Sequence, residues 1–333
     1  MSSRSRFTAL PALIVAIAVA ACSGGGAATS DKLTVGLGYI PSVQFAPFYL
    51  ADQAGYYRDA GLEVAFQNKI DPDLVTLVGQ GALDVGISDG TSVIPAVSQG
   101  IPIRYLATLY GKFPSIVFAK SSARITNASD LKGRKIGIPG KYGSSWVMLQ
   151  ALLGSAGLTP DDVTIVEYPD FGQGAAVMAD AVDAATGFSN NEPIQLELTG
   201  EKATVLRVDD ITPLPGPGLI SGVGTIAAKH DALAAFTAAT LRAMDEITKD
   251  PQVGLDAAIK AVPELASARD MQSAILAATI DSWAGPTQVD QGLGALDAAG
   301  WASSIAYMTK LGLVPNPVTA DGLLQTDLLP SGN

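Results

Sequence analysis

The sequence predicts an α/β protein of two lobes around a central cleft, with the chain crossing between the lobes twice. Two observations carry that expectation. Short β-rich runs alternate with helical patterns in two successive sets, which is the sequence form of β-α-β units with parallel strands. The pattern then breaks at the proline-rich segment 213–217, and helices dominate from 232 to about residue 313. Such a helical remainder is free to return to the first set, which places the crossings near 111–117 and 211–220. The expected boundaries are 32–112 with 218–333 for the first lobe and 113–217 for the second. A length of 333 residues fits two domains and allows roughly three quarters of the unfolded surface to be buried.

In the first set, residues 33–37 read as a strand, 46–60 as a helix and 62–66 as a strand. A helix over 73–80, a strand over 84–88, a helix over 92–99 and a strand over 103–109 follow. Gly61, Gly81 and Gly100 stand where those helices should stop, because glycine enters the left-handed cap conformation without a Cβ penalty. Residues 115–119 read as a connecting strand. In the second set, 129–133 is a helical turn, 135–138 a strand, and 144–156 a helix closed by Gly157. Strands over 163–166, 184–188 and 204–208 then alternate with helices over 174–181 and 193–199. Leu219 and Ile220 form only a short apolar run. No repeat of fixed period is visible, so the lobes share architecture and not sequence.

Apolar residues make up 48% of the chain and charged ones 16%, the composition of a globular body. The net charge is −11, and setting aside the two positive charges of Arg4 and Arg6 near the start leaves −13. A chain that acidic disfavours nucleic acid as a partner, since phosphate binding needs a basic face. The single cysteine, Cys22, excludes an internal disulfide, so stability must come from the core.

Arg4 and Arg6 precede an apolar run over residues 9–21, which is short of the roughly 20 residues a spanning helix needs. Val19-Ala20-Ala21-Cys22 resembles the lipobox of bacterial lipoproteins. The resemblance implies a signal peptide over 1–21 and a lipid on Cys22 as the first mature residue. A flexible linker over 22–31 would then tether an extracytoplasmic body to the bacterial cell membrane.

The segment GYIPSVQFAPFYLA at 38–51, followed by Ala54-Gly55-Tyr56-Tyr57 and Gly61-Leu62-Glu63-Val64, resembles the opening of solute-binding proteins of bacterial ABC importers. Residues 81–86 (GALDVG), 130–138 (DLKGRKIGI) and 190–193 (NNEP) match as well, so the resemblance spans roughly 32–314. The subgroup is that of nitrate, sulfonate and thiamine-pyrimidine-precursor binders, which share a domain with eukaryotic pyrimidine synthases. The opening, with YGSSW at 142–146 and FSNNEP at 188–193, is most similar to importer components for pyrimidine precursors and for riboflavin. The resemblance implies a periplasmic-binding-protein-like fold of type 2 and a small-molecule ligand captured by lobe closure. It also implies an ABC permease with its ATPase as partner, a monomer, and no cofactor.

The residues themselves place candidates where strands end and helices begin, so that all face one cleft. Tyr39, Gln44 and Phe45 follow the first strand, and Ser88 and Asp89 follow the third. Tyr110 lies at the first crossing. Tyr142, Ser144 and Ser145 open the helix after residue 138, while Phe188, Asn190, Asn191 and Glu192 follow the strand ending at 188. Flat rings beside amides, hydroxyls and one or two carboxylates suit an aromatic heterocycle, which stacks on π faces and is oriented by a few hydrogen bonds.

Competing readings attach to the same residues. Phe48, Tyr49, Tyr56 and Tyr57 recur at helical spacing and read as core, as do Trp283 and Trp301. Asp89, Asn190, Asn191 and Glu192 also suit helix starts as caps. An anion such as a sulfonate or nitrate would want Lys112, Lys141 or the 140–145 turn. An enzyme reading meets a chain whose one histidine, His230, lies beside Lys229 and Asp231 and away from every cleft loop. The resemblance gives the pyrimidine synthases a histidine and iron, and here neither a metal-ligand cluster nor a nucleophile-base set can be assembled. A structural or adhesive lipoprotein is the third class.

Overall fold

The computed structural model describes residues 31–68, 73–211 and 213–330. The signal peptide expected at 1–21, the lipid site Cys22 and all but Asp31 of the expected linker lie outside the described residues.

Among the described residues ten strands form: β1 (Asp31–Gly36), β2 (Leu62–Gln67), β3 (Val85–Ser88), β4 (Ile103–Thr108), β5 (Ser115–Lys120), β6 (Lys135–Ile138), β7 (Thr164–Glu167), β8 (Ala184–Phe188), β9 (Ala203–Arg207) and β10 (Gly218–Gly222). They assemble into two five-stranded sheets of order β2-β1-β3-β10-β4 and β7-β6-β8-β5-β9. The fold is thus α/β with two mixed sheets, as the alternating pattern requires.

The short apolar run at 219–220 is a full strand. β10 enters antiparallel between β3 and β4, with Gly218 opposite both Ser88 and Thr108. All five of its residues are buried, so it shows no polar alternation that would mark a strand. Glycine at its start is a steric requirement, because a Cβ on Gly218 would stand 2.1 Å from the Tyr105 hydroxyl oxygen and 2.3 Å from the Ala107 carbonyl oxygen. The segment read as a connector, residues 115–119, is an interior strand as well: β5 pairs antiparallel with both β8 and β9.

The helix expected over 46–60 is two, α1 (Ala46–Gln53) and α2 (Tyr56–Asp59). The break falls at Gly55, whose φ of 80° is open to glycine and poorly tolerated by other residues. Further along come α3 (Leu74–Gly79), α4 (Gly90–Ser98), α5 (Gly143–Ser155), α6 (Gln173–Met178) and α7 (Glu192–Leu198). After β10 the chain runs through α8 (Val223–Lys249), α9 (Pro251–Ala261), α10 (Arg269–Trp283), α11 (Pro286–Gln291), α12 (Ala298–Lys310) and α13 (Ala320–Leu323). None of the described helices is long and apolar enough to cross a membrane.

The returning helices complete the core around the first sheet. The Phe236 ring of α8 stacks on Tyr57 at 5.0 Å and lies 6.3 Å from Phe48, and the Tyr57 hydroxyl is 2.9 Å from Thr240 Oγ1. Phe48, Tyr49 and Tyr57 are buried, whereas Tyr56 is half-exposed beneath the Arg242 guanidinium. Trp301 packs edge-on against Tyr105 at 4.8 Å. The open side of β4 is covered where Thr108 N–H donates to the Gly294 carbonyl and Gln325 N–H to that of Tyr105, each at 3.0 Å. A separate core of Phe113, Val117, Ile136, Leu149 and Leu152 serves the second sheet, and Tyr307 of α12 and Leu311 just after it pack against it.

The two crossings run side by side. Leu109 and Tyr110 N–H groups both donate to the Pro217 carbonyl, at 3.1 and 2.9 Å, and Lys112 N–H donates to the Ser282 carbonyl of α10 at 3.0 Å. A bend between the sheets must therefore pass through a few backbone bonds held against the end of one helix.

Gly218→Ala is expected to destabilise the protein by about 1–3 kcal/mol, the range for overpacking a filled site. Equilibrium urea unfolding reads this as a lower midpoint, and an unshifted midpoint would show that β10 tolerates a side chain at its first position.

Candidate functional site

A cavity of about 250 Å³ lies between the sheets, where the loops after β1, β3, β4, β6, β7 and β8 converge. From the first lobe it is lined by Leu37, Tyr39, Gln44, Phe45, Phe48, Ser88, Asp89, Ser92 and Tyr110. From the second come Tyr142, Ser144, Ser145, Phe171, Gln173, Phe188, Asn191 and Glu192, and the returning helices add Met244 and Trp283. Twelve of the thirteen residues singled out from the sequence are thus brought to one wall or another of it.

Local chemistry sets each loop. After β1, Gly38 turns the chain at φ 71°, and the Ser42 side chain accepts from Gln44 N–H at the start of a short 3-10 turn, presenting Gln44 and Phe45. After β3, Asp89 caps α4, its Oδ1 accepting from Thr91 N–H at 2.9 Å and Ser92 N–H at 3.3 Å. After β6, Gly143 at φ 61° opens α5, and Tyr142 at the cap position makes no side-chain capping bond. After β8, Glu192 folds back so that its Oε2 accepts from Phe188 N–H at 2.8 Å. A Cβ on Gly187 would stand 2.8 Å from that same oxygen, so glycine is needed for Glu192 to take this place.

Asn190 is the exception. It is fully buried and does not line the cavity; its Nδ2 donates to Gln44 Oε1 at 3.0 Å and to Thr279 Oγ1 at 2.8 Å. Its amide joins the second lobe to the first and to α10. The lobes also meet at Tyr39 and Phe171, whose rings pack edge-on at 5.0 Å. Phe171 holds a φ of 60°, a conformation that non-glycine residues adopt at some energetic cost, to bring its ring there.

Burial dominates the electrostatics of the site. Burial raises the Asp89 carboxyl above the ordinary range, opposed by bonds from the Thr91 and Ser144 side chains and from two backbone N–H groups. Glu192 is raised for the same first reason, with Phe188 N–H opposing. Burial, and then the Glu192 charge, push the Tyr39 phenol up, while burial does so for Tyr110. Both phenols therefore remain protonated donors at neutral pH. Among the described residues lining the cavity, none is Lys, Arg or His. Lys112 pairs with Asp281 at 2.8 Å and Lys141 lies over the Trp146 ring, both outside the cavity. His230 is half-exposed on α8 between Asp231 and Asp327, each 3.2 Å away.

Sequence reasoning missed several lining residues. Phe171 in the loop after β7 and Gln173 at the start of α6 stand where alternation places the cleft, but the segment carries no motif. Phe48, Met244 and Trp283 face the cavity and the core at once, and their helical spacing signals only the second role. Gln173 is buried, its Nε2 donating to the Thr186 carbonyl at 3.2 Å while its Oε1 has no partner among the described residues.

The family model described as NMT1/THI5 like matches residues 42–253. The chain is 33% identical over 310 residues to the riboflavin-binding protein RibY of Chloroflexus aurantiacus, covering 92% of this chain and 88% of that protein. It is 28% identical over 197 residues to a 4-amino-5-hydroxymethyl-2-methylpyrimidine phosphate synthase of Saccharomyces cerevisiae, 56% of either chain. Among solved structures, the periplasmic aliphatic sulphonate binding protein SsuA of Escherichia coli superposes with a TM-score of 0.68 at 17% identity, over 90% of this chain and 98% of that one. The fold is that of periplasmic binding proteins, and on a match that takes in both lobes the chain belongs to the NMT1/THI5-like family.

Proposed function

We propose that the protein is the solute-binding component of an ABC importer, which captures a small aromatic heterocycle between its lobes and delivers it to the permease and its ATPase. The observation that carries this is the make-up of the cavity. Rings from both lobes enclose it, amides and hydroxyls stand among them, and no cationic side chain is present among its described lining residues. Apolar, ring-lined cavities with a few convergent polar groups hold flat heterocycles by stacking and orient them by hydrogen bonds. A volume near 250 Å³, close to the lower end of the roughly 300–1,000 Å³ usual for ligand sites, suits one ring system. The likeness to a riboflavin-binding protein along nearly the whole chain supports a riboflavin-like or thiamine-pyrimidine-like ligand.

Two other readings are less well supported. An anion such as a sulfonate or nitrate would have to be desolvated with two carboxyls and no cation among the described lining residues, an unfavourable exchange. A synthase-like enzyme draws support from the pyrimidine synthases in the family, yet the described walls offer no imidazole or thiol to act as base or nucleophile. We therefore read the protein as a binder. On the same reading the leader at 1–21 and a lipid on Cys22 hold a monomeric body outside the cytoplasm, against the membrane that carries the permease.

Closure supplies the mechanism. A ligand touched by both lobes binds the closed arrangement better than the open one, and only that difference can shift the population. The permease would then recognise the closed shape.

Small-angle scattering is expected to give a smaller radius of gyration with saturating riboflavin or hydroxymethylpyrimidine than without; an identical radius would count against capture by closure. Tyr142→Ala and Asn191→Ala are each expected to weaken binding about 5- to 30-fold, or ~1–2 kcal/mol, measured by titration of the ligand's fluorescence or heat. Unfolding midpoints should change little in either, and unchanged affinity in both would move the site elsewhere.

A further inference from the structure

We propose that the cavity accepts the unphosphorylated form of its heterocycle and rejects the phosphate ester, with Asp89 and Glu192 as the excluding groups. The inference rests on the reading above that the cavity holds a heterocycle, and it names the charge class of that ligand.

A phosphate monoester brings about −1.5 to −2 charges at neutral pH. Holding it requires cationic side chains or the free N–H groups of a helix start. The ionisable side chains among the described lining residues are two carboxyls and three phenols. The remaining donor set is the first turn of α5, a helix of 13 residues whose start opens on the cavity at Gly143, Ser144 and Ser145 and has no side-chain cap. Asp89 already stands against that turn. While its Oδ1 takes the Thr91 and Ser92 N–H groups of α4, the Ser144 hydroxyl of α5 donates to the same carboxyl. The starts of α4 and α5 therefore share a built-in carboxyl where a phosphate would have to go.

Glu192 does the same on the other wall, holding the Phe188 N–H and facing the Tyr39 phenol. Burial lifts both carboxyls above their ordinary range, so negative charge is already poorly compensated in the cavity before any ligand arrives. Carboxyls on two walls match ring N–H, amino and hydroxyl groups, and oppose phosphate.

The test titrates the purified protein with riboflavin and riboflavin 5′-phosphate, and with 4-amino-5-hydroxymethyl-2-methylpyrimidine and its phosphate. The unphosphorylated member of the bound pair is expected to be preferred on the order of 100-fold. In Asp89→Asn, which keeps the α4 cap, and in Glu192→Gln, that ratio is expected to shrink by about tenfold or more, with thermal melts confirming folding. Equal affinity of the unaltered protein for both members of a pair would overturn the inference and leave the proposed function standing. A ratio unchanged in both variants would also overturn it, because exclusion would then be a matter of size. Failure to bind any of the four compounds would overturn the proposed function, and this inference with it.

Discussion

The structure depends on one backbone constraint: the centre of the first sheet is filled by a strand that arrives only after the second sheet has been built. β3 and β4 cannot pair with each other directly, since β10 lies between them and hydrogen-bonds both. Everything that defines the cavity follows from that insertion. It brings Pro217 against Leu109 and Tyr110, so the two crossings become a paired hinge, and it launches α8 across the face of α1 and α2. Through α8 and α10 it also delivers Met244 and Trp283 to the cavity wall. A glycine at position 218 is what lets the strand enter, because the Tyr105 hydroxyl occupies the space a side chain would need.

The cavity is a second expression of the same arrangement. Loops at the ends of strands in two different sheets meet there, and the polar groups they carry are mostly used up locally: Asp89 caps a helix, Glu192 pins the end of β8, and Asn190 bridges to Gln44 and Thr279. What remains free to meet a ligand is aromatic and apolar surface with a small number of polar groups. That distribution, more than the fold itself, favours a flat uncharged ring over an anion, since unrelated ligands and even enzymes share such folds.

Much of this was legible in the sequence. Alternation located the two sets of strands, and glycines at helix ends, each confirmed by a positive φ at Gly61, Gly81, Gly100 and Gly157, marked the boundaries well. The site loops were legible for a related reason: in open α/β sheets the ends of strands are where ligands meet the protein. Long-range pairing was not. β5 looks like a connector because its partners β8 and β9 lie far along the chain, and β10 looks like a stray apolar pair because a wholly buried strand bounded by glycines has no periodicity. The role of Asn190 was hidden in the same way. Nothing in the SNNEP segment separates the asparagine that bridges the lobes from the one that lines the cavity, since the difference lies in what α10 places opposite. Trp283 and Met244 carry two roles at one spacing, and the pattern reveals only the packing role.

The late arrival of β10 also bears on how the molecule is made. A chain emerging from its N-terminus can pair β1 with β2 and β3 early, but β3 and β4 keep bare edges until residue 218 has appeared. Contacts of such sequence separation form slowly, and unpaired edges are sticky in the interim. The first sheet thus closes only once residues 218–222 are available, whatever has already formed before them.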